Sequence, residues 1–349
     1  MPAIQKGDLV LVSGASGYIA TQTVKDLLDA GFPVRGTVRS ADKGDYLKNL
    51  FKDSAVPFDY VIVKDIAEAG AFDEAVKGVV GVAHTASPFH LKADDPDELI
   101  KPAVNGTVGI LDSIKKNNPN VKRVVITSSV AAILDDDIPK PHTYEEDHWN
   151  AYSVREVKEK GRDATPGDKY RASKTLAEQA FWKWIEDNKP SWDGAAIHPS
   201  LVRATFLRSL RPRLGSVRAG PGLVNWFTGN HQESELKAIK EAPFNWVDVR
   251  DVSLGHLRAL TTPEASGQRF ITSNGPLSPI DYVLSFAKHY PDRKTYPNGD
   301  AEASRRKEIN GAANFYNGAK ATKVLGVQYH EIDGSIKDTI DSVIKRLGI

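Results

Sequence analysis

The sequence predicts an α/β protein: a doubly wound parallel sheet joined to a smaller, discontinuous α/β lobe. Three observations point there. Short β-branched runs alternate with longer helical patterns up to Pro199, a glycine turn separates the first run from the first helix, and the chain beyond Pro199 changes texture. Alternation of this kind describes parallel strands linked by helices that cover both faces of the sheet.

Taken in order, residues 10–12, 34–38, 60–63, 79–83 and 124–126 read as buried strands with helical patterns between them. A helix fits residues 169–188, where Leu176, Ala177, Ala180, Phe181 and Trp184 fall on one stripe, and it leads into a strand over residues 194–198. Residues 203–230 are rich in Arg, Gly and Pro without a clear period, which predicts a loop-rich segment beside a site. Regular structure returns over residues 246–261 and 268–272, and the last helix is expected over residues 335–346.

Composition narrows the partners. The 349 residues carry 46 Lys and Arg against 45 Asp and Glu, so no overall field favours nucleic acid or an anionic membrane. No run of 18 apolar residues occurs and the opening segment shows no export pattern, so a soluble cytoplasmic protein, monomer or homodimer, is expected. Without cysteine there is no disulfide, thiolate nucleophile or cysteine-ligated zinc. Among nine histidines there is no HExxH, His84 and His90 stand six apart, as do His142 and His148, and no metal is expected.

Gly14, Gly17 and Ala20 follow the first strand with the spacing GxxGxxA. The first glycine permits a sharp turn, the second lets backbone approach a pyrophosphate, and the small third residue lets helix pack on strand. The free N–H groups of that helix start would face the anion, which makes Gly14, Ser16, Gly17, Tyr18 and Ile19 candidate contacts of a dinucleotide. A tight turn that binds nothing is the bland alternative. The second strand ends in Arg39, with Lys43 a helical turn later, where an NAD-binding chain usually carries an acid; Asp42 lies past the strand end. A planar donor fork and a point charge suit a 2′-phosphate, so the expected cofactor is NADPH/NADP. The expected division is then an NADP-binding domain of residues 1–199 and 246–274, and a substrate lobe of residues 200–245 and 275–349.

Further on, the strand ending in Thr127, Ser128 and Ser129 delivers hydroxyls to the carboxyl edge of the sheet, and Tyr170 and Lys174 lie four apart on one helix face. Strand-end hydroxyls are also common helix caps, and the YxxxK spacing is frequent by chance; their company gives them weight. A carbonyl that accepts hydride develops negative charge on oxygen and needs a donor and then a proton. Tyr170 is the candidate acid, Lys174 the cation that favours its phenolate, and Ser129 the hydroxyl that fixes the carbonyl oxygen.

These residues resemble the extended short-chain dehydrogenase/reductases, and within them the NADPH-dependent carbonyl reductases of the methylglyoxal, aldehyde, dihydroflavonol and cinnamoyl-CoA type. The resemblance rests on GASGYIA at 14–20, RSADK at 39–43, KDI at 64–66, HTASPF at 84–89, PAVNGT at 102–107, RVVITSS at 123–129, YRASK at 170–174 and VDVRDV at 247–252. It implies a Rossmann domain, a small-molecule carbonyl substrate, and a catalytic triad of Ser129, Tyr170 and Lys174. It also implies that Asp65 and Ile66 hold the adenine, that Thr85, Ala86 and Ser87 pass the dinucleotide, and that Thr127 and the stretch from Pro199 to Val202 lie by the nicotinamide. Phe89, Val130, Leu134 and Trp226 fall on the substrate pocket, and Asn105 on a family asparagine, with helix packing expected of it.

The chain departs from the family at "HPSLVRAT", where His198 replaces the asparagine of NPxxxxGP, and Ala204 and Thr205 replace its Gly-Pro, in a loop expected between cofactor and substrate. Arginines 203, 208, 211, 213 and 218 follow without an acid; they are either a solvated face or a grip for a carboxylate or phosphate. Two other functions compete with carbonyl reduction: a nucleotide-sugar epimerase or dehydratase, opposed by Arg39 and Lys43, and a non-catalytic NADP(H) sensor, opposed by the retained tyrosine and lysine.

Overall fold

The computed structural model describes residues 3–87, 93–203, 227–229, 244–293, 311 and 313–347. The first half winds strand and helix alternately: β1 (Val10–Ser13), α1 (Tyr18–Asp29), β2 (Val34–Val38), α2 (Ala41–Leu50), β3 (Phe58–Ile62), β4 (Gly81–His84), α3 (Asp97–Asn117) and β5 (Arg123–Thr127). After β6 (Thr143–Tyr144), α4 (Ala151–Lys160) and α5 (Pro166–Asn188) come β7 (Asp193–Pro199), β8 (Leu201–Arg203) and β9 (Phe244–Asp248). The chain closes with α6 (Val249–Thr261), β10 (Gln268–Thr272), β11 (Pro276–Leu277), α7 (Pro279–His289), β12 (Phe315–Tyr316) and α8 (Ile332–Leu347).

Seven strands form one parallel sheet in the order β10-β7-β5-β4-β1-β2-β3. The order reverses between β1 and β4, and a crevice for ligands opens at the carboxyl ends of strands at such a point. Alternation along each strand feeds two cores. Val10 and Val12 of β1, Val125 of β5 and Ala195 and Ile197 of β7 belong to one, with Val24, Leu27 and Val252 from α1 and α6. Leu11, Val124, Ile126 and Ala196 point to the other, where α3 and α5 supply Ile110, Leu111, Phe181 and Trp184. Both faces are therefore apolar, which is why these strands read as continuous hydrophobic runs.

The expected strands are present with shifts at their ends: 60–63 is observed as β3 (Phe58–Ile62) and 79–83 as β4 (Gly81–His84). Gly78, at φ +72°, turns the chain just before β4, so Val79 and Val80 approach the sheet without entering the strand. The helix expected over 169–188 starts earlier, at Pro166, because Thr165 caps it and proline suits a first helical position. The stretch 246–261 splits into strand and helix at Asp248, whose carboxylate accepts the backbone N–H of Arg250 at 2.8 Å.

Two small sheets were not legible in the sequence. Strand β9 lies between β11, antiparallel, and β8, parallel, and β12 pairs with β6. A separate core of Phe227, Trp246, Leu277, Ile280, Phe286, Ile336 and Ile340 sits beneath α7 and α8.

Candidate functional site

The glycine turn lies at the reversal of strand order. Ser13, the last residue of β1, ties it to β4: its hydroxyl accepts the N–H groups of Thr85 at 3.0 Å and Ala86 at 2.9 Å, and lies 3.0 Å from His84 Nδ1. Because the oxygen already accepts twice, its hydrogen goes to Nδ1. The Thr85 hydroxyl donates back to the Ser13 carbonyl. This clamp brings Ala86 against Gly14, where an added Cβ would stand 3.2 Å from the Ala86 Cβ, and Gly14 itself has φ +65°. Both space and conformation demand glycine there. Helix α1 then starts at Gly17 with neither a side-chain cap nor an acid in its first turn; every other helix described here has one or the other. Its positive pole is left for an anion, beside half-buried Ser16, Tyr18 and Ile19.

At the same edge Arg39 is exposed after β2, and half-buried Lys43 stands in the first turn of α2. A lysine at that end of a helix opposes the dipole, a cost that a bound phosphate would offset. Neither cation forms an ion pair among the described residues. A hydrogen bond from Ser40 is the main influence holding the Asp42 carboxyl below its usual range, so that acid is engaged locally. Asp65 is exposed and its carboxylate accepts the N–H of Ala67 at 2.9 Å, while Ile66 packs on α3. Here the helix-packing expectation for Asn105 needs correction. Asn105 is exposed, and its neighbour Gly106 makes the contact, since a Cβ there would lie 3.0 Å from Ile66 Cδ1.

Strand β5 carries the hydroxyls. The Thr127 carbonyl accepts Lys174 Nζ at 2.9 Å, and its hydroxyl donates to His256 Nε2 at 2.7 Å, since His256 Nδ1 is committed to the Val252 carbonyl at 2.8 Å. Ser128 donates to Glu178 at 2.6 Å. Half-buried Ser129 caps the short turn Val130–Ala132, accepting the Ala131 N–H at 3.1 Å. The cap uses an oxygen lone pair, so the Ser129 hydrogen stays available to donate. Helix α5 packs against this turn and carries half-buried Tyr170 and buried Lys174 on one face. Burial pulls the Lys174 ammonium down to about 8, opposed by the charge of Glu178. Burial and then the Lys174 charge push His84 down to about 3, and burial pushes His256 to about 4.

Pro199 ends β7 opposite Thr272, and half-buried Val202 lies in β8. Val130 and Leu134 are partly buried against Ile133, Tyr144, Ile271 and Tyr316. Phe89, Trp226, Ala204, Thr205 and arginines 208, 211, 213 and 218 lie outside the described residues.

Two further sequence expectations are corrected. Residues 201–203, expected in a loop, form β8, while His198 lies in β7 as the strand over 194–198 predicts; its side chain is fully buried and its Nε2 lies 2.7 Å from Glu178 Oε2. His142 and His148, six apart in the chain, meet through their Nε2 atoms at 3.3 Å, because β6 lies between them and turns the rings together. Glu178, His256 and Arg269 were missed. Glu178 had a signal, its spacing of one helical turn from Lys174; the other two reach the site only through the fold.

The chain belongs to the NAD dependent epimerase/dehydratase family, which matches it over residues 10–271. Within that class its relatives include reductases. Ketoreductase azaE of Aspergillus niger is 36% identical over 349 residues, spanning 97% of this chain and 98% of that protein. The NADPH-dependent methylglyoxal reductase GRE2 of Saccharomyces cerevisiae is 33% identical over 349 residues, spanning 96% of this chain and 98% of its own. The crystal structure of yeast methylglyoxal/isovaleraldehyde reductase Gre2 complexed with NADPH superimposes with a TM-score of 0.83 at 30% identity, covering 97% of this chain and 99% of that one. Among the described residues no helix is long and apolar enough to cross a membrane, and no cluster of three or more His, Asp or Glu could hold a metal ion.

Proposed function

We propose that this protein is an NADPH-dependent carbonyl reductase that converts aldehydes and ketones to alcohols. One observation carries the reading: a buried lysine, Lys174, is tethered to the Thr127 carbonyl two residues before Ser129, at the sheet edge where the uncapped helix α1 begins. The residues at that edge fit the cofactor. Gly14 leaves room beside Ala86, and Arg39 and Lys43 form no ion pair among the described residues. Bound there, the reduced dinucleotide supplies hydride to the carbonyl carbon.

The protein's own groups handle the oxygen. The Ser129 hydroxyl donates a hydrogen bond to it, and the Tyr170 phenol donates the proton as charge develops. The Lys174 ammonium stabilises the phenolate left behind; one of its three donors holds Thr127, and two remain. Residues 1–199 and 246–274 form the cofactor domain in this proposal, and residues 200–245 and 275–349 the substrate lobe, with Phe89, Val130, Leu134 and Trp226 at the substrate. It extends to a monomer or homodimer in the cytoplasm.

Initial rates of NADPH consumption with small aldehydes, α-ketoesters and aryl ketones test the proposal; tight NADPH binding without turnover on any of them would refute it. Arg39→Ala should cost about 1.5–3 kcal/mol of NADPH binding while leaving NADH binding nearly unchanged, measured by parallel fluorescence titrations. Equal losses for both would remove Arg39 from the 2′-phosphate. The Lys174 ammonium persists below about 8 and is lost above it, so kcat/KM for reduction should fall as pH rises through that value. A flat profile between neutral pH and pH 10 would show that the charge on Lys174 is not used.

A further inference from the structure

We propose that Glu178 is a positioning residue for the catalytic pair: it keeps Lys174 in its ammonium form and fixes the strand end that delivers Ser129, while Ser128, His198 and Arg269 hold its carboxylate in place. The inference rests on the assignment of Ser129, Tyr170 and Lys174 made above.

Glu178 lies one turn beyond Lys174 on α5, with its side chain 1% exposed. Donors from four elements converge on it. Ser128, past the end of β5, reaches Oε2 at 2.6 Å; His198 of β7 reaches Oε2 at 2.7 Å; Arg269 of β10 reaches Oε1 through Nε at 2.7 Å; and Trp182 of α5 reaches Oε1 at 3.2 Å. A carboxylate only accepts, so His198 presents Nε2–H to it. Arg269 is itself locked, with Nη1 donating to the carbonyls of Glu146 and His148, and the guanidinium 3.8 Å from the centre of the Trp149 ring. Burial opposes ionisation of Glu178, but the charge and hydrogen bonds of His198 and Arg269 prevail and hold its carboxyl far below the usual range.

The groups around Lys174 leave this carboxylate as its counter-charge. Strand β5 offers the Thr127 carbonyl, β4 offers His84, and α5 offers Tyr170 and Glu178. From α6, His256 meets the Thr127 hydroxyl. From α3, Asp112 and Lys115 bind Trp184 and Asn188 near the far end of α5, and from α4, Ser153 binds Asp168 at its start. Lys174 and Glu178 therefore grip consecutive residues, Thr127 and Ser128, immediately before Ser129. The two side chains thus fix the backbone carbonyl and the hydroxyl of the two residues that precede the reacting hydroxyl. His198, standing where the family pattern has asparagine, brings its ring N–H to the carboxylate from the neighbouring strand.

The test compares pH profiles of kcat/KM for NADPH-linked reduction of methylglyoxal by wild-type, E178Q, E178D, S128A and Y170F proteins, with thermal unfolding as a check of folding. In E178Q the high-pH limb should move down by about one pH unit, because the charge opposing the desolvation of Lys174 is gone. E178D keeps the charge, so its limb stays in place while kcat falls. S128A cuts the tether alone and should lower kcat about tenfold with NADPH affinity and the limb unchanged. A folded E178Q whose profile overlays the wild type overturns the proposal. Should E178Q fail to fold, unchanged kcat in S128A and E178D overturns it. Turnover by Y170F would instead overturn the site assignment, whereas loss in Y170F with unmoved profiles in the other variants defeats this inference alone.

Discussion

Tyr170→Phe should lower kcat for carbonyl reduction by about 10²–10⁴-fold, the range that a positioned general acid contributes. The substitution removes one hydroxyl from a half-buried ring and leaves the helix intact, so folding and NADPH affinity should not change. Ser129 and the Lys174 ammonium would still polarise the oxygen, and residual turnover is therefore expected rather than none. Stopped-flow single-turnover rates with excess enzyme separate the chemical step from product release. A chemical step as fast as that of the wild type would assign the proton to another donor.

Arg123→Met should destabilise the protein by about 3–5 kcal/mol, the cost of stranding one partner of a buried ion pair. The Arg123 side chain is fully buried at the start of β5, and Nε and Nη2 meet the two oxygens of Asp193 at 2.5 and 2.9 Å. The remaining N–H groups donate to the Ala259 carbonyl at 2.9 Å, the Pro263 carbonyl at 3.2 Å and the Thr262 carbonyl, closing the end of α6. Methionine fills much of the space but offers no donor, so a carboxylate and three carbonyls lose their partner together. Urea unfolding at neutral pH measures the difference, and the double variant with Asp193→Leu should recover part of it, as the isolated charge is then gone. A loss under about 1 kcal/mol in the single variant would mean that water replaces the guanidinium.

Much of the frame was legible because its causes are local. The strands β1, β5 and β7 are buried on both faces, so their place is written in consecutive residues. Gly14 announces a turn through the positive φ it adopts and Gly17 through the close approach of the Gly14 carbonyl, and Tyr170 and Lys174 share a face by helix period alone. The strands of two or three residues, β6, β8, β11 and β12, carry too little pattern to be seen. His198 was legible as the end of a strand, but the carboxylate facing it was not, because Glu178 stands on another element and only the fold brings the two together.

The sequence by itself determined the order of the long strands and helices, the glycine turn, the basic end of the second strand, and the hydroxyl, phenol and amine that make the candidate site, because propensity, periodicity and spacing act within a few residues. Tertiary structure alone decided what surrounds those groups. Lys174 is drawn down to about 8 because α5 buries it against β5, and Glu178 is ionised because His198 of β7 and then Arg269, 91 residues away, are brought to it, the latter by the parallel pairing of β10 with β7. Desolvation and Coulomb interactions depend on distance in space, and distance in space is the quantity that chain order does not record.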